Sequence, residues 1–197
     1  MSAEKELWDI YDENKMPTGE TVDRYNLSLN PKQFHLVVIG ILFTEDKKVL
    51  ITKRSPDKRY AGGLWEIPGG GVRAGESSQD AVRREILEET NINLYDREYE
   101  KLYNYKRINT ESNSYFVDMY CYLISEEDIR NVSIQAEEVS DFKILSVPEI
   151  KEIAKKEDIE IKYIFLTHNH PDHIAGLDNA KEKLNVPIVI SKLDGEN

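Results

Sequence analysis

The sequence predicts an α/β domain, a mixed sheet with helices on its faces. Three observations carry that prediction. Residues 35–44 (His-Leu-Val-Val-Ile-Gly-Ile-Leu-Phe-Thr) are an apolar run of strand length. Residues 78–90 place Val82, Ile86 and Thr90 on one helical stripe, with Gln79 and Arg83 beside it, as a helix lying on a sheet does. Two further strand-like runs, 99–108 and 114–124, flank the polar turn Asn109-Thr110-Glu111-Ser112-Asn113.

Each element follows from local chemistry. The run 35–44 reads as a buried strand, and 48–54 as its hairpin partner across Glu45-Asp46-Lys47. His35, at the edge of the apolar run, reads as structural. Ser77 or Ser78 can N-cap the helix, and Asp80 adds negative charge to its first turn. Asn91 closes it, since asparagine follows glycine in tolerance of the left-handed conformation. Tyr103, Tyr105 and Tyr115 suit sheet packing, and Cys121, the single cysteine, reads as a small buried hydrophobe. Pro148 opens a helix over 148–156.

The chemistry is concentrated in residues 70–92. Helical spacing puts Glu85, Glu88 and Glu89 on one face, with the small Ala81 a turn earlier. Three like charges repel unless a counter-ion joins them. Mg²⁺ or Mn²⁺ would remove the repulsion, because both take carboxylate oxygens and keep waters for a substrate phosphate. Arg84, one turn from Glu88, can hold it in place. Upstream, Trp65-Glu66-Ile67-Pro68-Gly69-Gly70-Gly71 brings three glycines whose backbone can approach a ligand closely.

Gly70, Glu76, Arg84, Glu85, Glu88 and Glu89, at this spacing, resemble the Nudix box, the loop-helix-loop signature of Nudix hydrolases. One fixed position departs: Asn91 stands where the family has glycine, on the helix cap and not on a ligand. The resemblance implies an α/β/α sandwich. It implies that Glu85, Glu88 and Glu89 are metal ligands, and that Glu85 also activates water. Gly69 would offer a backbone carbonyl to metal, while Glu76 and Arg84 would orient the cluster. It extends to Leu7-Trp8-Asp9-Ile10-Tyr11-Asp12-Glu13-Asn14 and to Leu50-Ile51-Thr52-Lys53-Arg54-Ser55, which are similar to the Nudix branch containing isopentenyl-diphosphate isomerase. Glu137-Glu138-Val139-Ser140 and the following Phe142-Lys143-Ile144-Leu145 resemble the loop and strand after the box. They make Glu138, or Glu137, a candidate ligand or base; a plain charged turn is the alternative.

The formal net charge of −11 argues against a nucleic-acid polymer as partner, since such binding needs a basic surface. An anionic substrate must then be drawn in locally, by metal and by Lys53, Arg54 or Arg73, with Gly70 and Gly71 offering it backbone groups. No apolar run approaches a membrane span and no signal peptide opens the chain, so a cytoplasmic protein is expected. A homodimer fits this branch.

At 197 residues the natural division is a Nudix domain over 1–157 and an appendage over 158–197. The tail predicts a β-α-β piece from 161–167, 177–185 and 186–190. Its His168, His170, Asp172 and His173 resemble the metal motif of the metallo-β-lactamase fold and would suit Zn²⁺. So short a fragment cannot close a core of its own.

The expected activity is metal-dependent hydrolysis of a nucleoside diphosphate linked to another group. Two rivals stand beside it. One is a prenyl-diphosphate isomerase, which by family analogy needs a cysteine upstream of the box, where this chain has none. The other is a non-catalytic nucleotide-binding module.

Overall fold

A computed structural model describes residues 5–58, 60–108, 113–156, 164–165 and 188–189. The elements run β1 (Leu7–Tyr11), β2 (Pro17–Asp23), a 3-10 turn (Arg24–Asn26), β3 (His35–Phe43), β4 (Lys48–Arg54), β5 (Trp65–Glu66) and β6 (Gly69–Gly71). Then come α1 (Ser78–Thr90), β7 (Glu100–Arg107), β8 (Tyr115–Leu123), α2 (Glu126–Arg130), β9 (Val139–Ser146), α3 (Val147–Lys156), β10 (Ile164–Phe165) and β11 (Ile188–Val189). Strands β3, β4, β7 and β8 and helices α1 and α3 fall within about a residue of their predicted bounds, whereas β9 begins three residues before the run at 142–145. The polar β2, the glycine strand β6 and the two-residue β5 lack the apolar pattern from which strands are read. The five-residue α2 is too short to show a helical period.

Strand β3 is the rail of the sheet. The strand order is β5-β4-β3-β8-β7, with β6 also paired to β3 and β9 to β4. Along one edge β3 runs parallel to β8 from His35↔Tyr115 to Phe43↔Leu123. The other edge is shared: β6 pairs antiparallel at Val37–Ile39 and β4 pairs at Phe43. A parallel pair needs a long crossover, and the connection from β3 to β8 contains α1. The sheet is therefore mixed, as the α/β prediction requires.

Helix α1 packs on the sheet through the predicted stripe, with Val82, Ile86 and Thr90 fully buried. Gly40 makes the close approach possible. A Cβ there would lie 2.2 Å from Ile86 Cδ1. Leu36, Val38, Leu42, Leu50, Phe116, Tyr120 and Tyr122 complete the core around the helix. One residue of β8 breaks the apolar pattern: Asp118 is 2% exposed. Lys101 Nζ meets it at 2.8 Å and Lys15, from the β1–β2 turn, pairs with its other oxygen. Two ammonium groups offset the cost of burying that carboxylate.

The N-terminal hairpin β1–β2 stands against the strand that begins at His35. Trp8 is buried and stacks on the His35 ring, centroids 4.5 Å apart. His35 is structural, as expected. Its Nε2 bonds Asn113 Oδ1 at 2.9 Å, Nδ1 has no partner, and burial pushes its pKa down to about 4. The sign of the linkage is fixed: below its ordinary pKa the unfolded chain takes a proton that the folded protein refuses until about pH 4. Stability should fall by about 3 kcal/mol as pH drops through that window. Urea midpoints at pH 7 and 4.5 check this. The drop should be smaller in His35→Gln, and an equal drop in both proteins would refute the assignment.

The chain divides into two compact units, Met1–Leu145 and Ser146–Asn197. In the second, the Glu149 carboxylate accepts from Ser146 N at 2.8 Å and Ser146 Oγ at 2.6 Å, which holds the start of α3. Strands β10 and β11 pair in parallel, Ile164↔Ile188 and Phe165↔Val189, the arrangement a β-α-β piece requires. The segment between them, with His168, His170, Asp172 and His173, lies outside the described residues.

Candidate active site

Helix α1 is built to hold carboxylates in place. Ser77 is the N-cap, its side chain accepting from Asp80 N at 3.1 Å, and Asn91 closes the helix at φ 62°. The departure from glycine at that cap is thus accommodated by the residue type best able to replace it. The loop before the helix is tied to β1. Ala74 N donates to Leu7 O and Gly75 N to Asp9 Oδ2, both at 2.8 Å.

Arg84 is the centre of the cluster. Its Nε and Nη2 donate to the two oxygens of Glu76 at 2.8 and 2.9 Å, and Nη2 also reaches Gly71 O at 3.0 Å. Its Nη1 reaches Glu85 Oε1 at 2.7 Å and Glu88 Oε2 at 3.3 Å. Burial alone would pull this guanidinium down. The Glu76 hydrogen bonds and the Glu85 charge reverse that and hold it well above its ordinary value. In the same exchange burial raises Glu76, but Arg84 brings it below the ordinary carboxylate range. Arg84 and Glu76 therefore form a bidentate pair.

The three helix glutamates share a face but not an environment. Glu88 is part-exposed and also meets Arg73 Nη2 at 3.4 Å. Glu85 is more deeply set, with burial raising its carboxyl against the pull of Arg84. Glu89 is 5% exposed, and its Oε2 has no partner. Burial, then the charges of Glu85 and Glu66, push Glu89 up to about 9.

Gly70 is where the glycine run meets this cluster. A Cβ at Gly70 would lie 2.4 Å from the Glu85 carboxyl carbon. Because the obstructing atoms are the end of a flexible side chain, Gly70→Ala should fold normally and displace Glu85. Turnover should drop roughly tenfold to a hundredfold with little change in thermal midpoint. Unchanged turnover would show that Glu85 need not sit there.

The other predicted residues are placed as follows. Gly69 pairs with Ile39 at the start of β6. Arg54 donates to Glu66 Oε1 at 2.9 Å and to Tyr60 O at 3.1 Å. Glu138 pairs with Lys58. Lys53 stands apart from these, 5.6 Å from the Trp65 ring centroid, because neighbouring strand residues point to opposite faces and Arg54 takes the other one. Sequence reasoning passed over Glu66 and Lys58. Glu66 lies three residues before the first of the glycines, but its pairing with Arg54 depends on the register Thr52↔Glu66, which no local pattern reports.

Hard carboxylate oxygens, one of them buried without a partner, are a donor set that fits Mg²⁺ or Mn²⁺. Among the described residues no three acidic, imidazole or thiol groups lie close enough to share one ion. The reason is visible in the pairings: Glu85, Glu88, Glu66 and Glu138 are each turned toward an arginine or lysine. No helix among those residues is long and apolar enough to cross a membrane.

Residues 33–166 match the NUDIX domain family model. An uncharacterized Nudix hydrolase of Listeria monocytogenes is 30% identical over 164 residues, covering 82% of this chain and 91% of the relative. The chain belongs to the Nudix family. As a Nudix hydrolase it acts on the pyrophosphate linkage. The 8-oxo-dGTP diphosphatase of Escherichia coli is 39% identical over 56 residues, 28% of this Nudix chain and 43% of the relative. Among solved structures, DR0079 from Deinococcus radiodurans shares the fold with a TM-score of 0.63 at 24% identity, covering 76% of this chain and 90% of that one. The NUDIX domain of Shewanella oneidensis NrtR, complexed with ADP ribose, gives 0.50 at 25% identity, covering 76% and 87%. The Nudix chain has a second similarity: residues 137–197 match the metallo-beta-lactamase superfamily model.

Proposed function

We propose that this Nudix hydrolase uses Mg²⁺ or Mn²⁺ to cleave a nucleoside diphosphate linked to another group, releasing a nucleoside monophosphate. The observation that carries the reading is Glu89, a buried carboxylate with an unpartnered oxygen beside Glu85 on a helix face whose neighbours are held by Arg84. Such a group is costly unless the site it faces takes a cation. The substrate class is supported by two similar proteins, the E. coli 8-oxo-dGTP diphosphatase and the NrtR domain complexed with ADP ribose.

Glu85, Glu88 and Glu89, with the Gly69 carbonyl, are the residues that would hold the ion. Once bound, it supplies charge neutralisation to the diphosphate oxygens and lowers the pKa of a water. The chain does the rest. Arg84 fixes Glu85 through one oxygen, and Gly70 leaves the carboxylate room. Glu85 accepts the proton of the water that attacks phosphorus in line. Glu138 is the second candidate base. Arg54 and Arg73 bring positive charge to a protein whose net charge of −11 repels the substrate at a distance.

A panel of nucleoside diphosphate derivatives, assayed with Mg²⁺ and Mn²⁺ in ¹⁸O-labelled water, tests this. The expected result is metal-dependent release of a nucleoside monophosphate, with label in one phosphate product. Tight nucleotide binding without turnover across the panel would favour a binding module. Proton exchange into isopentenyl diphosphate would favour the isomerase.

A further inference from the structure

The glycines of β6 separate two side chains from distant parts of the sequence. Successive strand residues point to opposite faces. A Cβ at Gly70 would meet the Glu85 carboxyl carbon at 2.4 Å, and one at Gly71 would meet Trp8 Cζ2 at 2.3 Å and Cε2 at 2.5 Å. The strand is therefore a single layer of bare backbone. A carboxylate of α1 lies against one face and the indole of β1 against the other.

Three successive residues of β1 grip this segment and the loop that leads on to α1. Leu7 O accepts from Ala74 N, the Trp8 ring seats on Gly71, and Asp9 Oδ2 accepts from Gly75 N. The Gly71 carbonyl accepts in turn from Arg84 Nη2 at 3.0 Å, and Arg84 Nη1 reaches Glu85 Oε1 at 2.7 Å. The indole is itself anchored. It is 8% exposed, stacks on His35 and donates from Nε1 to Glu6 Oε1 at 2.9 Å. Arg24, directly after β2, donates from Nη1 to both oxygens of Glu6 at 3.1 and 3.0 Å, so both strands of the hairpin fix the ring. Glycine backbone has more freedom to lose than any other, so the anchored ring sets the strand rather than the reverse.

We propose that Trp8 and Asp9 are positioning residues of the active site: β1 is the template against which β6 and the loop to α1 are set, and through Gly71 and Arg84 it places Glu85 to receive the metal ion. The proposal rests on the metal-dependent reading above and gives a part in it to a hairpin that supplies no ligand. The bare glycines are what make the transmission direct. With the indole gone, Gly71 can relax into the space left behind, and its carbonyl then withdraws from Arg84. A displacement of about 1 Å at a reacting group can cost about a hundredfold in rate.

Mn²⁺ affinity of the full-length chain, read by electron paramagnetic resonance, tests this. Asp9→Ala should weaken Mn²⁺ about tenfold, the scale seen when a group that orients a metal ligand is lost. Asp9→Asn keeps an acceptor for Gly75 N and should hold the parent affinity. Trp8→Leu should weaken Mn²⁺ by a similar factor. Added to Glu85→Gln it should weaken Mn²⁺ little further, because its effect runs through the carboxylate already removed. A ring that served only the stability of the fold would lower the thermal midpoint and show no such dependence on Glu85. Parent Mn²⁺ affinity in folded Asp9→Ala, or an equal loss from Trp8→Leu with and without Glu85, overturns the proposal. The two Asp9 variants carry the test if Trp8→Leu does not fold. Glu85→Gln alone checks the underlying reading. If it leaves Mn²⁺ affinity intact, the helix is not the metal site; if it weakens Mn²⁺ while Asp9→Ala does not, only the template fails.

Discussion

Glu89→Gln is expected to abolish metal-dependent turnover and at the same time raise resistance to heat. Glutamine keeps the shape of the side chain and removes its charge. The charge is what a bound ion needs, so turnover should fall by at least about a thousandfold, the scale seen when one preorganised electrostatic group is lost. The stability effect has the opposite sign. Glu89 is buried, one oxygen has no partner, and burial with the charges of Glu85 and Glu66 raises it to about 9, so at neutral pH folding without an ion must put a proton on a group that is ionised in the unfolded chain, at a cost to stability. Relieving that strain is worth about 1–2 kcal/mol, a rise of a few degrees in the thermal midpoint for a chain of this size. Calorimetry and a phosphate-release assay on one preparation check both. Full turnover, or a midpoint several degrees lower, would remove Glu89 from the site.

Arg84→Gln should show the largest loss of stability. It removes the partner of Glu76, Glu85 and Glu88 together and leaves the first two nearly buried without a counter-charge. Breaking a buried pair on one side costs about 3 kcal/mol or more, which corresponds to about 6–12 °C in midpoint. Arg84→Lys separates charge from geometry. One ammonium cannot serve both oxygens of Glu76, the Gly71 carbonyl and Glu85 at once, so the lysine variant should recover part of the stability and little of the turnover. Urea midpoints and turnover for the two variants decide it. A lysine variant equal to the parent in both would mean that only the charge of Arg84 matters.

Much of the fold was legible before any coordinates. The apolar run at 35–44, the stripe Val82-Ile86-Thr90 and the caps Ser77 and Asn91 are local patterns, and each became the element it predicts. The misses share a cause. Strand β6 is three glycines, β2 is polar and α2 has five residues, so none carries a periodicity of its own. Asp118 belongs to the same class. An aspartate inside a strand pattern becomes intelligible only when Lys15 and Lys101 arrive from other parts of the chain.

By itself, the sequence determined the helix, its caps and the spacing of Glu85, Glu88 and Glu89, because all depend on side chains within about two turns of one another; Glu76 and Arg84 were singled out by the family resemblance, and their pairing is a fact of the structure. Only the tertiary structure decided that Glu89 is the buried member of the three, that Lys53 lies over Trp65 while Arg54 turns to Glu66, and that Glu138 meets Lys58. Those facts depend on strand register and on how closely the sheet approaches the helix. Register is a relation between distant segments, and a one-residue slip would send every side chain of a strand to the opposite face.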